Sequence, residues 1–266
     1  SLFMSLSLVP ILLTKRKAPN FKKISGMKLK EVYKSSPFGV VSSFLIGISH
    51  SAVFSLIAVY ATSMNFSILE VSIVTFLFAI SGAISQWPIG KLSDVLDRRI
   101  VIIYTTFGAA LFCFLAIISS GQMYMPAGLA TSKLFFYICI MCFSFCSLPM
   151  FALIFAHTND FIPKEKFVAA GAGLQFVFGL GAICGPFMCS LFMEFLGENG
   201  FFIFLIIFHS FIGLFGIYRM QIRESGDNPD SQFAPMPQTI TPAGIELNPS
   251  TEPIDEPNNL NEFKKI

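Results

Sequence analysis

Residues Gly39–Ala61 read GVVSSFLIGISHSAVFSLIAVYA, a stretch that contains no Lys, Arg, Asp or Glu. A helix of about 20 predominantly apolar residues crosses the hydrocarbon core of a bilayer, because each residue advances the helix by about 1.5 Å. A charged side chain at the centre of such a helix costs about 2.5–3.5 kcal/mol even on a lenient scale. The stretch therefore predicts a transmembrane helix.

The same pattern recurs in five further segments. They are Leu69–Ile89, Ile100–Ile118, Leu134–Ala156, Phe167–Met193 and Gly200–Tyr218. Only helices and closed barrels satisfy their backbone groups inside lipid, and the strict alternation typical of barrel strands is absent. The chain has 54 % hydrophobic and 13 % charged residues, whereas soluble domains carry about 25 % charged residues. The sequence predicts an all-α membrane protein, a six-transmembrane-helix bundle.

The positive charges lie at one end of this predicted bundle. Basic residues mark the cytoplasmic loops of membrane proteins. They are Lys15, Arg16, Lys17, Lys22, Lys23, Lys28, Lys30, Lys34, Lys91, Arg98, Arg99, Lys164, Lys166, Arg219 and Arg223. The first loop, the loop Gly90–Arg99 and the C-terminal tail are therefore predicted to be cytoplasmic, with Lys133 at the opposite end. A net charge of +2 with this segregation argues against a nucleic-acid partner.

The chain divides into four predicted parts. Residues 1–13 are apolar but too short to span a bilayer, so we interpret them as the end of a truncated transmembrane helix. Residues 14–36 form a basic cytoplasmic central loop, and residues 37–219 form the six-helix transmembrane domain. Residues 220–266 are rich in Pro, Asn, Ser, Thr and acidic residues, which predicts a disordered cytoplasmic tail.

The loop between the second and third predicted spans reads GKLSDVLDRR from Gly90 to Arg99. Glycine at position 90 allows two helix ends to approach closely. Asp94 can face the positive N-terminus of a neighbouring helix. Arg98 and Arg99 begin the next span, where they can pair with Asp94 or Asp97 and anchor the loop at the cytoplasmic face.

The frame Gly-x-x-x-Asp-x-x-x-Arg-Arg resembles the signature loop of the major facilitator superfamily, which joins spans two and three and recurs between spans eight and nine. The resemblance extends to Ser36–Val40, Ala156–Asp160, and the tail stretches 233–235 and 246–249. It implies that four residues latch the cytoplasmic side closed in the outward-facing state. These residues, called the latch below, are Gly90, Asp94, Arg98 and Arg99.

The longer runs are similar to a bacterial branch of that superfamily whose substrates are mostly unassigned. A helix end, a basic loop, six spans and a tail resemble spans six to twelve, so the expected fold is half of a twelve-helix major facilitator fold. The resemblance implies a secondary carrier of the bacterial inner membrane that moves a small-molecule substrate by alternating access, together with a missing N-terminal six-helix half. No cofactor, metal or enzymatic activity is expected.

The fifth full span carries closely spaced small residues, Gly179, Gly181 and Gly185, followed by Pro186. Small residues four apart favour close contact between helices. Proline removes a backbone hydrogen bond and can kink a helix. The run resembles the Gly-Pro hinge of some facilitator subfamilies, and the sequence is compatible with either a hinge or tight packing alone.

Polar side chains deep in a span are costly, so they are candidates for function. His50 lies near the middle of the first full span, on a helical face with Ser43 and Gly47, and Gln175 lies in the fifth. We interpret both as candidates for substrate binding or coupling, against the alternative of interhelical hydrogen bonds. His209, in the last span, is expected to have a lipid-side or packing role.

No acid lies deep in the six predicted spans, which leaves three options for coupling. A coupling proton is carried by the missing half, or by His50, or the carrier is a uniporter. Two alternatives to a half-carrier also stay open. One is a six-span protein that dimerises into a carrier or channel, and the other is a non-transporting membrane sensor or scaffold that signals through the tail.

Overall fold

The computed structural model describes residues 26–119 and 133–224 together with Gly226 and Phe233. Over these residues the chain forms α-helices and one short 3₁₀ turn, with no strand. The helices are α1 Leu29–Ser35, α2 Pro37–Ser63, α3 Ile68–Val95, α4 Arg98–Ser119, α5 Lys133–Ser147, α6 Met150–Asn159, α7 Phe167–Leu196 and α8 Asn199–Ile222. The predicted all-α fold is confirmed.

Six stretches of the described chain are long and apolar enough to cross a membrane, as predicted. They are Pro37–Ser63, Ile68–Val95, Arg98–Ser119, Lys133–Asn159, Lys164–Leu196 and Asn199–Ile222. Each extends past its predicted apolar segment at both ends, because polar residues at the membrane surface continue or cap the helices. Ser36 accepts the Gly39 N–H at 3.2 Å, and Ser67 forms a reciprocal capping box with Glu70 at the start of α3.

The fourth span is two helices rather than the single uninterrupted one that the sequence predicts. α5 ends at Ser147, and α6 begins at Met150. Pro149 lies at the junction, where it has no N–H to donate and its ring crowds the preceding turn. In contrast, α3 continues through Pro88 and α7 through Pro186. The break leaves Ser147 at a helix end.

The helices bury their surfaces unevenly. α2 packs along α7 and also contacts α3, α6 and α8, while α4 packs against α5 and α8. The apolar stretches of Pro37–Ser63 and Lys133–Asn159 are each 67 % buried, whereas those of α3 and α7 are only 28 % buried. The outer faces of α3 and α7 are therefore the parts of the bundle that are left to lipid or to further protein.

Residues 14–36 were predicted to be a loop, but their last part is helical. Leu29–Ser35 forms α1, and the side chain of Val32 is fully buried against α7. Glu31 in the first turn and Lys34 in the last turn complement the helix dipole. The burial of Val32 supplies the tertiary contact that a helix this short needs.

The C-terminal boundary also differs from the prediction, because α8 continues to Ile222 rather than ending at residue 219. The predicted truncated helix at residues 1–13 and residues 14–25 of the central loop lie outside the described residues. So does the predicted tail beyond Glu224, apart from Gly226 and Phe233.

Candidate functional site

The connection between α3 and α4 is very short and brings opposite charges together at one end of the bundle. Asp97 accepts the backbone N–H of Arg99 at 2.9 Å, and its carboxylate pairs with the Arg99 guanidinium at 2.6 Å. Partial burial raises the pKa of Asp97, but the hydrogen bonds from Arg99 outweigh it and hold the pKa below its ordinary value. Asp97 is therefore ionised at neutral pH and fixes the start of α4.

Arg98 joins the ends of three helices. Its guanidinium lies 3.0 Å from Asp94 on α3 and 3.1 Å from Asp160, which follows α6. Only 9 % of the arginine side chain is exposed, so it depends on both carboxylates for compensation. The pairs of Arg98 with Asp94 and of Arg99 with Asp97 were predicted and are confirmed. Asp160 was not predicted to take part, although it closes the run Ala156–Asp160 on which the family resemblance partly rests.

Arg99 extends the network to the last helix. Its Nη1 donates to the carbonyl oxygen of Arg223 at 2.6 Å. Nη1 of Arg223 in turn donates to the carbonyl oxygen of Ser35 at 2.5 Å. The end of α1, the start of α4 and the end of α8 are therefore linked at the same end of the bundle.

A residue of the tail covers the latch. The backbone N–H of Phe233 donates to Oδ1 of Asp94 at 2.9 Å, and the Phe233 ring fills the space that a Cβ at Gly90 would need. A Cβ at Gly226 would lie 2.8 Å from the Cβ of Asp160. The tail thus contacts both acids that pair with Arg98. The sequence predicts that Gly90 lets two helix ends approach, but the group that approaches it is the Phe233 ring of the tail.

A polar cluster lies inside the described bundle, where α2, α5 and α8 meet. Nε2 of His50 lies 3.1 Å from both the carbonyl oxygen and Oγ of Ser147, and Ser147 Oγ lies 2.8 Å from Nε2 of His209. Nδ1 of His209 lies 2.9 Å from the carbonyl oxygen of Leu205 and 3.3 Å from Oγ of Ser49. We call Ser49, His50, Ser147 and His209 the histidine–serine cluster, and none is more than 1 % exposed.

The carbonyl oxygens fix the hydrogen positions in this cluster, because a carbonyl can only accept. Nε2 of His50 carries a hydrogen and donates to Ser147, while Nδ1 of His209 carries one and donates to Leu205. Nε2 of His209 then accepts from the hydroxyl of Ser147. With both imidazoles neutral, a continuous chain of hydrogen bonds runs from His50 through Ser147 to His209.

Of the two roles expected for His209, lipid-side or packing, the lipid-side role is wrong, because its side chain is fully buried and packs between helices. Leu205, His209 and Ile212 lie on the buried face of α8, so the ring points at α2 and α5. His50 also faces neighbouring helices, and its role in coupling or substrate binding stays a prediction. The two histidines are 159 positions apart, so their proximity depends on how α2 and α8 pack.

The glycines of α7 differ in what they contact. A Cβ added at Gly181 would overlap the carbonyl oxygen of Phe44, and one at Gly185 would overlap that of Ile48. On the facing helix, a Cβ at Gly47 would overlap the backbone of Phe178. These three glycines let α2 and α7 pack backbone to backbone.

Three other candidates on α7 lack such a contact or stay untested. A Cβ at Gly179 would meet nothing within 4 Å. Pro186 lies within the unbroken α7 helix, and its hinge role stays a prediction. Gln175 is partly buried next to Leu174, whose carbonyl accepts the Ser43 hydroxyl at 2.8 Å. Its role toward a substrate also stays a prediction.

The opposite end of the bundle has a different charge arrangement. Glu70 forms the capping box at the start of α3 and pairs with Lys133 at the start of α5. Glu70 lies in the first turn of α3, where its negative charge also complements the helix dipole. Among the described residues, this end therefore holds a local cap and one exposed ion pair, whereas the latch end holds a network of ion pairs.

Comparison with known proteins agrees with this architecture. The chain matches the Major Facilitator Superfamily model over residues 39–253. It is 23 % identical over 201 residues to an uncharacterized MFS-type transporter of Yersinia enterocolitica, covering 76 % of this chain and 47 % of that protein. It is 26 % identical over 191 residues to the uncharacterized MFS-type transporter YfkF of Bacillus subtilis, covering 69 % and 45 %.

A third relative, an uncharacterized MFS-type transporter of Enterobacter sp. strain 638, is 24 % identical over 191 residues, covering 72 % of this chain and 45 % of that protein. No solved structure matches the chain. The chain spans about half the length of the curated relatives it matches. Because the family model covers most of the chain and the described part holds six membrane-spanning helices, the chain belongs to the major facilitator superfamily.

Proposed function

We propose that this chain forms one six-helix half of a secondary carrier, which moves a small molecule across the bacterial inner membrane by alternating access. The family match over residues 39–253 carries the proposal. A second half of similar size is needed to complete the carrier, and it would pack on the exposed faces of α3 and α7. Substrate would bind near the midplane between the two halves.

The latch would act by holding helix ends together at the cytoplasmic side. Arg98 contacts Asp94 and Asp160 at the same time, so movement of α3 relative to α6 must break one of these pairs. The Arg98 side chain is only 9 % exposed, so water cannot fully replace a carboxylate that moves away. Breaking one of the two ion pairs therefore costs free energy. This supports a two-state latch whose closed form is the one described.

The histidine–serine cluster supports proton coupling as a further part of this proposal. An additional proton on His50 or His209 would place a charge in the bundle interior, where it is costly unless the helices rearrange. Protonation would therefore be linked to the packing of α2, α5 and α8, which is the kind of coupling that a proton-driven carrier requires.

The test uses the full-length protein in proteoliposomes, with uptake of metabolites and drugs measured with and without an imposed pH gradient. Asp94→Asn and His50→Gln are measured beside the unchanged protein. Glu165→Gln is the matched control, because it removes an exposed negative charge near the latch end of the bundle. We expect uptake driven by the gradient, which Asp94→Asn and His50→Gln each reduce at least tenfold and the control does not.

Other outcomes separate the alternatives. Uptake that does not depend on the pH gradient and is unchanged in His50→Gln would exclude proton coupling but would still support the carrier function. A well-folded protein that takes up no compound would favour the sensor or scaffold. Equal loss in Glu165→Gln and Asp94→Asn would mean that surface charge, and not the latch, governs the rate.

A further inference from the structure

A pocket lies at the latch end of the bundle, where four helices begin or end. Its wall is formed by Ser36 at the start of α2, Arg99 at the start of α4, and His157 at the end of α6. The end of α8 contributes Arg219 and Arg223. The enclosed part of the pocket has a volume of about 20 Å³, and its mouth is open to the surroundings.

Three arginines line the pocket, and the described acidic residues compensate their positive charge only in part. Arg99 is paired with Asp97, and Arg223 donates to a backbone carbonyl and lies over the ring of Phe161 at 4.1 Å. Arg219 makes no ion pair or hydrogen bond through its side chain within the part of the chain that the structure describes. The acid that lines the pocket is Glu224, which is exposed. An anion would therefore be favoured here.

His157 is the second and independent indication of a ligand. It is 4 % exposed and lies between the rings of Phe38 and Phe161, with ring centroids 5.2 and 5.1 Å away. His157 also lines the pocket, so a ring nitrogen can donate to or accept from a ligand atom there.

The helix at the back of the pocket adds to the same preference. α2 begins at Pro37 and is 27 residues long, and the positive end of its dipole faces the pocket. Pro37 has no N–H and the N–H of Gly39 already donates to Ser36, so it is the dipole that favours an anion at this helix end. The pocket is therefore lined by a helix N-terminus, three arginines and a histidine.

We propose that this pocket binds a phosphate group, supplied by the headgroup of an anionic phospholipid. Guanidinium groups suit phosphate because their donors match its oxygens. The pocket lies where membrane spans end, which is the level of lipid headgroups. Tyr218 and Ile222, on α8 beside Arg219, expose 56 % and 54 % of their surfaces and can contact an acyl chain. This proposal stands whether or not the chain transports.

The experiment measures the melting temperature of the full-length protein, purified in detergent and stripped of lipid. Phosphatidylglycerol, phosphatidylcholine and inorganic phosphate are each titrated alone. A ligand that binds the folded state raises its stability as RT ln(1 + [L]/Kd), so each titration yields an apparent Kd. We expect phosphatidylglycerol to raise the melting temperature and phosphatidylcholine to have little effect.

Arg219→Gln is the decisive variant, because its side chain makes no described contact whose loss would unfold the protein. We expect it to weaken phosphatidylglycerol binding roughly fivefold, the usual effect of one basic residue near a charged membrane surface. Arg219→Lys keeps the charge and should retain most of the binding. Lys91→Gln is the matched control, since it removes one exposed positive charge from the same end outside the pocket.

The outcomes distinguish the sources of the phosphate. Binding of phosphatidylglycerol alone, weakened in Arg219→Gln and not in Lys91→Gln, supports the lipid headgroup. Equally strong binding of inorganic phosphate with the same loss supports the phosphate site but assigns it to a free anion. Equal weakening in Arg219→Gln and Lys91→Gln, or equal stabilisation by phosphatidylcholine, would overturn the proposal, because either result means general surface attraction.

Discussion

Arg98 carries one positive charge but contacts two carboxylates, and the two are not equivalent. The Asp160 side chain is 11 % exposed, whereas that of Asp94 is 37 % exposed. Ion pairs that are exposed to water contribute little to stability. Removing one partner of a buried pair is costly, because the other charge stays buried without compensation. The pair with Asp160 should therefore dominate the stability of this end of the bundle.

Asp160→Asn tests this ranking. The amide can still accept one hydrogen bond but leaves the arginine with less compensation, so we expect the free energy of unfolding to fall by about 1–3 kcal/mol. Asp94→Asn should cost less, and Glu165→Gln should cost nothing measurable. Thermal unfolding of the full-length protein in detergent checks the order. A larger loss in Asp94→Asn than in Asp160→Asn would contradict it.

Asp97 gives a dependence on pH whose direction follows from its pKa. The folded state lowers that pKa below the ordinary value of 3.8. The ionised carboxylate therefore stabilises the folded state above pH 3.8, and this contribution is lost as pH falls through the lower folded value. Asp97→Asn should lower the melting temperature at pH 7, and the difference should shrink below about pH 4. A difference that stays constant from pH 7 to pH 3.5 would contradict this cause.

The sequence predicts local pairs better than distant ones. Asp94, Asp97, Arg98 and Arg99 lie within six positions, so their pairing follows from the geometry of a helix end. Asp160 and His209 were missed as partners because each reaches its partner only through the packing of separate helices. Tertiary contacts of this kind leave no periodic signal in a single sequence, although buried polar residues such as His50 do mark where to look.

At the scale of helices, the contact of α2 with α7 depends on which glycine faces the partner. Gly181→Leu would force side-chain atoms into the backbone at Phe44, so we expect the helices to separate and transport to fall at least tenfold. Gly179→Leu is the matched control two positions away, because a Cβ there meets nothing within 4 Å. Leucine also favours a helix over glycine by up to about 1 kcal/mol.

The uptake assay described above, together with the melting temperature, compares these two variants. Gly181→Leu should lower both values, and Gly179→Leu should leave them unchanged or slightly raise the melting temperature. Equal behaviour of the two leucine variants would mean that small residues on α7 serve a purpose other than close packing with α2.

Helix number and order follow from hydropathy alone, because an apolar stretch of sufficient length has few other stable forms in lipid. Hydropathy does not predict where the helices end, since polar residues such as Ser36 and Glu70 extend or cap helices beyond the apolar region. The break at Pro149 also escaped prediction. Proline is tolerated within α3 and α7, so its presence alone does not tell where a membrane helix is interrupted.

At the scale of the whole molecule, the basic residues predict the orientation of the bundle. The latch end carries Lys91, Arg98, Arg99, Lys164 and Lys166, and the opposite end carries Lys133. From the positive-inside tendency we predict that the latch end and the C-terminus lie in the cytoplasm.

Fusions to the full-length protein test this orientation. Green fluorescent protein joined after Ile266 should fluoresce, because it folds in the cytoplasm, and alkaline phosphatase there should be inactive. Alkaline phosphatase joined after Asn65, between α2 and α3, should be active. The reverse pattern would place the latch on the outer side and exclude its proposed role.

The contact between Phe233 and Asp94 also has a consequence for biosynthesis. The two residues are 139 positions apart, and Phe233 follows the last span. A ribosome therefore completes and releases every described helix into the membrane before this contact can form. Gly90 and Asp94 lie uncovered throughout that period. A product that ends before residue 233 lacks both the N–H that Phe233 donates to Asp94 and the ring that packs on Gly90, so an unfinished chain differs from a finished one at this end of the bundle.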